Sequence, residues 1–186
     1  MTIILTSDKI TLNKELGGYI MILEFNGIKP VIDESCYISE SVDIIGDVVI
    51  KKDANIWFGT TIRGDMNKIF IGENTNIQEN SVVHVDTPYE TYIGNNVTIG
   101  HRAIIHGCII DDNVLIGMGS IILNGAKIGK NSIVGAGSLV TQNKEFEEGV
   151  LIMGSPAKVI RKLTEDEIKS IEKSAKNYVE ISKKYL

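Results

Sequence analysis

The most regular stretch of the sequence, residues 110–140, reads IDDNVLIGMGSIILNGAKIGKNSIVGAGSLV. An isoleucine or valine stands at every sixth position, from Ile110 to Val140. A period of six fits neither the 3.6-residue repeat of a helix nor the seven-residue repeat of a coiled coil. It is three times the period of a β-strand, so each unit can form one short strand followed by a turn.

The same repeat extends back through the chain, with three changes of step. It occupies seventeen positions, all isoleucine or valine: Ile38, Ile44, Ile50, Ile56, Ile62, Ile71, Ile77, Val83, Ile93, Ile99, Ile105, Ile110, Ile116, Ile122, Ile128, Val134 and Val140. A single unit buries little surface. Three units folded into a triangle and stacked about 4.8 Å apart would instead bury a continuous apolar column. Residues 38–140 are therefore predicted to form a triangular prism of nearly six coils.

This pattern resembles the hexapeptide-repeat family, whose fold is the left-handed parallel β-helix, and the resemblance covers most of the chain. The handedness is implied by the resemblance alone, because the general rule for parallel crossovers favours the right-handed form. The alternative is an isoleucine-rich β-sandwich with accidental spacing. We predict an all-β domain over residues 21–150. Residues 151–186 add a return loop and a C-terminal helix, which pack on the β-helix within the same domain.

The two ends of the chain depart from the repeat. Residues 1–20 are interpreted as an N-terminal extension, in which Leu16, Gly17 and Gly18 derive from a translated ribosome-binding sequence and the natural start is Met21. At the other end, a capping box of Thr164 and Glu167 predicts the start of a helix. Its apolar stripe is predicted from the residues Ile168, Ile171, Ala175, Tyr178 and Tyr185.

The composition narrows the classes of partner. Of 186 residues, 43% are hydrophobic and 23% charged, which excludes intrinsic disorder. The net charge of −5 provides no basic field for nucleic acid or an anionic membrane, and no apolar run approaches the roughly 20 residues of a membrane span. Small solutes and other proteins are the expected partners. Cys36 and Cys108 are expected to be reduced thiols, which predicts a cytoplasmic location.

All 3 histidines of the chain, His84, His101 and His106, fall within one short window. His84 and His106 each follow an inward position by one residue. A loop predicted within 86–92 supplies four extra residues between them, and without it they are one coil apart. Their backbones are therefore expected to lie about 5 Å apart on one face, where two imidazoles can chelate one ion.

His101 is predicted to lie on the neighbouring face or corner, out of easy reach of the other two histidines. Three copies around a three-fold axis would bring one subunit's first face against the next subunit's second face. We therefore predict a homotrimer with metal between chains, held by His84 and His106 of one subunit and His101 of its neighbour. Three histidines with an open fourth position are typical of a catalytic zinc.

Further motifs sharpen the resemblance, which is to the γ-class carbonic anhydrases. They are residues 57–65, ending in Arg63, Gly64 and Asp65; residues 71–79, ending in Asn76, Ile77, Gln78 and Glu79; Gly100 with His101; His106, Gly107 and Cys108; and residues 154–158. The resemblance implies that the three histidines bind zinc at the subunit interfaces of a trimer that hydrates carbon dioxide to bicarbonate.

The resemblance also implies roles for five other residues. Arg63 and Asp65 would support the interface and the site, Asn76 and Gln78 would orient bound water or substrate, and Tyr178 would approach the metal pocket. The Gln78 amide is chemically suited to that task, and a carboxylate such as Asp65 or Glu79 can fix an imidazole tautomer.

Simpler interpretations of these residues stay open. Arg63 and Asp65 can be only a salt bridge, Asn76 and Gln78 only turn residues, and Tyr178 only an apolar anchor. Cys108 is interpreted as a small packing residue, since a fourth protein ligand would close the catalytic position.

One departure from the family pattern affects the expected rate of carbon dioxide hydration. Archetypal members carry a glutamate after the aspartate that matches Asp65, and a longer acidic loop, which together export the proton. Here Met66 takes the first place, and the loop offers only Asp86 and Glu90. Slow or buffer-dependent hydration is therefore expected.

Two rival functions share the fold. One is a CoA-dependent acyltransferase, since residues 154–161 are shared with those enzymes, and the other is a catalytically silent, metal-binding trimeric scaffold. Imidazole ligands also accept Fe²⁺ or Co²⁺ in place of Zn²⁺.

Overall fold

The repeated isoleucines and valines line the axis of a parallel β-helix in the computed structural model, which describes residues 21–186. Sixteen of the seventeen predicted positions are buried, and only Ile38, in an early coil, is partly exposed. The predicted core and the predicted left-handed parallel β-helix are confirmed. The interpretation of residues 1–20 lies outside the described residues.

The β-helix has about seven turns. This exceeds the predicted number because residues 21–37 and 141–154 add strands at the two ends. The strands are β1 (Met21–Leu23), β2 (Val31–Ile32), β3 (Tyr37–Ile38), β4 (Asp43–Ile50), β5 (Asn55–Ile56), β6 (Thr61–Ile71), β7 (Asn76–Ile77), β8 (Val82–His84), β9 (Thr91–Ile93), β10 (Thr98–Ile99), β11 (Ile104–His106), β12 (Ile109–Ile110), β13 (Leu115–Ile116), β14 (Ile121–Ile122), β15 (Lys127–Ile128), β16 (Ile133–Val134), β17 (Leu139–Val140), β18 (Glu145–Phe146), β19 (Val150–Gly154) and β20 (Ala157–Lys162).

The strands form three faces. The histidine face contains β8, β11, β14 and β17; the loop face contains β9, β12, β15 and β18; and the helix face contains β3, β5, β7, β10, β13, β16, β19 and β20. The long strands β4 and β6 pass from the histidine face to the loop face and join the two. Neighbouring coils pair in parallel, as Leu115 does with Ile133 eighteen residues later.

Two insertions modify the corner between the histidine face and the loop face. In β6, a shift of register against β4 leaves residues 65–68 as a bulge. Between β8 and β9, residues 85–90 form the protruding loop. The predicted loop extended too far, because Thr91 and Tyr92 already pair in β9. Both insertions lie beside His84.

The C-terminal segment differs from its prediction in two respects. The expected return loop of residues 151–163 is a hairpin, in which β19 and β20 pair antiparallel. The helix α1 (Glu165–Ser182) does begin with the predicted capping box and contacts β5, β7 and β10. Its buried side includes Val179, whereas Tyr185 lies beyond its end and is 58% exposed. No helical segment of the described chain is long and apolar enough to span a membrane.

Glu167 links this helix to the hairpin. Its two carboxylate oxygens each accept an N–H of Arg161 at 2.8 Å, and one also accepts the backbone N–H of Thr164 at 2.9 Å. The hydrogen bonds from Arg161, followed by that from Thr164, lower the pKa of Glu167 to about 2.

We expect Glu167→Gln to destabilise the protein in a pH-dependent way. The folded-state pKa lies below the ordinary value of 4.5, so the stabilisation is complete above that value and is lost as the pH falls through about 2. Calorimetry should show a lower unfolding temperature for the variant near neutral pH, and a difference from wild type that shrinks below about pH 4.5. Glu165→Gln, in the same helical turn, is the control. A difference that is constant with pH would contradict the assignment.

Candidate metal centre

His84 and His106 lie side by side, as predicted. They are the last residues of β8 and β11, and they occupy the same register position on the histidine face. Nδ1 of His84 is 2.9 Å from Nε2 of His106, and the ring centroids are 4.9 Å apart. Arg63 occupies the matching strand position one coil earlier, where it pairs with His84. The strand register alone therefore brings two imidazoles together.

The neighbours of each ring determine which of its nitrogens carries the proton. Nε2 of His84 is 2.9 Å from Oδ1 of Asp65. A carboxylate only accepts, so this nitrogen donates. Nδ1 of His106 is 2.6 Å from Oδ1 of Asn124. The amide cannot be reversed, because its Nδ2 donates to Oδ2 of Asp86 at 3.0 Å. Both outer nitrogens are therefore donors.

It follows that the two facing nitrogens present lone pairs to each other when both rings are neutral. The two nitrogens are 2.9 Å apart. At this distance their lone pairs repel each other unless a proton or a cation lies between them. Metal–imidazole bonds of 2.0–2.1 Å in a tetrahedral site place two ligand nitrogens about 3.3 Å apart, so a small ring rotation is enough. His84 and His106 thus fit a divalent cation as two ligands of an incomplete set.

Asp65 is a half-buried anchor of this corner. Burial by itself would raise the pKa of Asp65, but hydrogen bonds from His84 and Arg63 and the charge of Arg63 outweigh it and lower that pKa. The Arg63 guanidinium contacts Oδ2, the oxygen that His84 does not use. Arg63 and Asp65 therefore form a salt bridge that also orients a candidate ligand.

His101 lies at the other edge of the histidine face, in the turn that follows β10. Its Nδ1 is 2.6 Å from Oε2 of Glu79. That oxygen is buried and has no hydrogen-bond partner among residues 21–186. Glu79 is therefore held against His101 with accepting capacity to spare.

Gln78, Asn76 and Tyr178 lie on the same side as His101. Nε2 of Gln78 donates to Oδ1 of Asn76 at 3.1 Å. Asn76 is fully buried and itself donates to Thr98 at 2.9 Å, so it holds the Gln78 amide from behind. Burial, followed by the charge of Glu79, raises the pKa of Tyr178, whose ring meets Trp57 edge-on at 5.8 Å. Gln78, Asn76 and Thr98 are therefore joined by hydrogen bonds.

The predicted residues thus fall into two groups within one protomer. Arg63, Asp65, His84 and His106 are together at one edge of the histidine face, and the others are at its opposite edge. Between His101 and His106 the chain passes through the turn that contains Arg102 and then through strand β11. No three His, Cys, Asp or Glu side chains of the described region converge to hold a metal.

Asn124 was not predicted from the sequence as a residue of the site. It lies level with Gly107, where its Oδ1 would be 2.6 Å from an added Cβ. The signal in the sequence that could have identified it is its position one coil beyond Gly107, the residue that follows His106. Cys108 packs in the core, and burial raises its pKa to about 12.

Comparison with known proteins identifies the family. The chain is 46% identical over 165 residues to a carbonic anhydrase of Geobacillus kaustophilus, covering 89% of this chain and 91% of that protein. It is 44% identical over 159 residues to gamma carbonic anhydrase 2, mitochondrial, of Arabidopsis thaliana, covering 82% of this chain. The chain belongs to the γ-class carbonic anhydrase family. The family predicted from the motifs around Arg63, His101 and His106 is therefore confirmed.

The remaining similarities agree with the γ-class fold. The family model for bacterial transferase hexapeptide, six repeats, matches residues 107–142. The crystal structure of a hexapeptide transferase family protein from Anaplasma phagocytophilum shares 45% identity and a TM-score of 0.86, covering 89% of this chain and 98% of that one. The chain spans only 57% of the length of the Arabidopsis γ-class relative.

Proposed function

We propose that this protein is a metal-dependent carbonic anhydrase that hydrates carbon dioxide to bicarbonate as a homotrimer. The observation that carries the proposal is the contact between His84 and His106, whose facing nitrogens lie 2.9 Å apart. Because an acceptor lies behind each ring, these two nitrogens carry the free lone pairs. His101 of a neighbouring protomer completes the ligand set in the proposal. The sequence similarity to carbonic anhydrases supports the substrate.

The surface between the two groups of site residues favours the trimer. Outward side chains of β8, β11, β14 and β17 form an apolar stripe on the histidine face: Val82, Ile104, Ile121 and Leu139. Val82 is 40% and Ile104 39% exposed in the single protomer. Contiguous apolar surface between polar groups is typical of a protein interface. Packing this face against a second copy would bring the edge with His101 against the edge with His84 and His106.

Each residue of the site then has a chemical task. When bound, Zn²⁺ supplies hydroxide at neutral pH by lowering the pKa of water to about 7. Gln78, held by Asn76, presents its amide to orient the nucleophile or the carbon dioxide. Glu79 keeps His101 in position through the contact of its Oε2 with Nδ1 of that ring. Tyr178 stays a protonated phenol beside Glu79, and Asp65 with Arg63 keeps His84 in position.

Proton export limits the rate in this proposal. Met66 is 53% exposed at the position where archetypal members have a glutamate, and it cannot carry a proton. Asp86 is engaged by Asn124, which leaves Glu90 as the exposed carboxylate of the loop. Hydration is therefore expected to depend on added buffer.

Fe²⁺ and Co²⁺ are alternative metals, since imidazole does not select zinc. The free thiols Cys36 and Cys108 favour a reducing, cytoplasmic compartment.

Stopped-flow hydration of carbon dioxide tests the proposal. Protein loaded separately with Zn²⁺, Fe²⁺ and Co²⁺ is expected to accelerate hydration above the buffer-only rate, and the rate is expected to rise with buffer concentration. Chelation should remove the activity, and added metal should restore it. A full complement of bound metal with no acceleration would instead identify the silent scaffold, and saturable binding of acetyl-CoA would identify the acyltransferase.

A further inference from the structure

A chain of hydrogen bonds runs outward from His106, away from the candidate metal. Nδ1 of His106 donates to Oδ1 of Asn124 at 2.6 Å, and Nδ2 of Asn124 donates to Oδ2 of Asp86 at 3.0 Å. Asp86 belongs to the protruding loop of residues 85–90. The second oxygen of Asp86 accepts the backbone N–H of Thr87 at 2.8 Å. These contacts therefore determine the orientation of the Asn124 amide.

The backbone is shaped to admit this contact. Gly107, with φ +55°, leaves the space that Asn124 enters, because a Cβ there would lie 2.6 Å from Oδ1 of Asn124 and 2.9 Å from Cβ of Tyr89. Tyr89 also lies against Gly125, where a Cβ would be 3.0 Å from its ring. The loop that provides Asp86 is thus held down over the same two glycines. A fixed loop gives Asn124 a fixed partner.

We propose that Asn124, held by Asp86, is a positioning residue that sets the tautomer and ring orientation of His106 and thereby presents its Nε2 lone pair to the metal. This inference rests on the proposed function, because it assigns His106 as a ligand. Each of the three histidines has an oxygen close to one ring nitrogen: Asp65 and Asn124 accept hydrogen bonds from His84 and His106, and Glu79 lies 2.6 Å from His101. Only the acceptor of His106 is neutral.

This arrangement gives Asp86 a different role from proton export. Its carboxylate orients an amide that cannot transfer a proton along the chain, because Asn124 neither gains nor loses one at neutral pH. The Asn124 amide must face Asp86 with its nitrogen, so its oxygen must face His106. Reversing the amide would place its nitrogen against Nδ1–H of His106 and leave two donors facing each other.

The first test compares Asn124→Leu with wild type. In metal-free protein, ring-nitrogen NMR distinguishes protonated from lone-pair nitrogens, and with 3 histidines in the chain the signals can be assigned. Wild-type His106 is expected to show one Nδ1–H form, and the variant a mixture of tautomers. The zinc Kd is expected to weaken about 10- to 100-fold in the variant. Glu90→Gln, which removes a charge from the same loop, is expected to change neither the His106 signal nor the zinc Kd.

An exchange of the two side chains provides a rescue. Asn124→Asp alone places two carboxylates in contact, so it is expected to release the loop and weaken zinc binding. Combined with Asp86→Asn, it restores a continuous chain in which the second hydrogen bond runs the other way, since the amide introduced at position 86 can donate to the carboxylate introduced at position 124. That carboxylate still accepts from Nδ1–H of His106. The double variant is expected to regain the single Nδ1–H form and most of the zinc affinity.

The outcomes separate this inference from the proposed function. Wild-type protein that binds no metal would overturn the proposed function, whatever the His106 tautomer. Wild-type protein that binds zinc, with Asn124→Leu showing the same tautomer and the same Kd, would overturn the positioning role alone. Failure of the double variant to recover, while Asp86→Asn alone behaves as wild type, would also overturn it.

Discussion

His101→Ala and His106→Ala proteins, each inactive by itself, are expected to regain about one quarter of the wild-type hydration activity when equal amounts are unfolded together and refolded. In the proposed trimer, each site takes His101 from one chain and His106 from the next. Random mixing gives about three quarters of trimers with both kinds of chain, and each such trimer has one intact site of three. Each variant alone is expected to bind almost no zinc, since a catalytic site with two protein ligands holds the ion poorly.

A second mixture is the matched control for this experiment. His84 and His106 belong to the same half of the site, because they pair on adjacent strands. A mixture of His84→Ala and His106→Ala chains therefore contains no intact site and is expected to stay inactive. Recovery in both mixtures, or in neither, would contradict a metal site shared between chains. Zinc content measured on the same samples separates loss of metal from loss of catalysis.

Gly117→Ala is expected to destabilise the protein by about 3 kcal/mol through overpacking, although the backbone there accepts any residue. A Cβ at this position would lie 2.4 Å from the backbone nitrogen of Ala136, in the next coil. The obstacle is backbone, so the two coils must move apart and strain their parallel hydrogen bonds. Thermal unfolding should show a midpoint lowered by roughly 10 °C.

Gly137→Ala is the counterpart that separates crowding from backbone strain. Gly137 has φ +68°, which disfavours an L side chain, yet nothing lies within 4 Å of an added Cβ. Its cost is expected to be about 1–2 kcal/mol. A Gly137→Ala protein less stable than Gly117→Ala would show that conformational strain, rather than the spacing of the coils, dominates in this fold.

The positions that the sequence predicted well are those determined by the strand period. The contact between His84 and His106 follows from counting coils, since each strand residue pairs with one residue in each neighbouring coil. Counting places Asn124 level with Gly107, but it does not predict the contact with His106, because Asn124 reaches across only where Gly107 lacks a side chain.

The C-terminal segment was predicted less well for a different reason. Val159 and Ile160 are both exposed in β20, so the hairpin has no alternation of apolar and polar residues that would mark it as a strand. Tyr185 packs against Tyr37 with ring centroids 5.5 Å apart, but it does so from beyond the last helical turn. A helical period therefore could not place it.

The course of α1 has a consequence for synthesis of the protein. This helix contacts β5, β7 and β10, which belong to coils made long before it, and Asn55 and Asn76 are fully buried on that face. While the chain is still emerging from the ribosome, these amides face water and the side of the site near Gln78 stays open. A segment translated late therefore covers a face that was built first, so the burial of Asn55 and Asn76 cannot be completed before α1 has emerged.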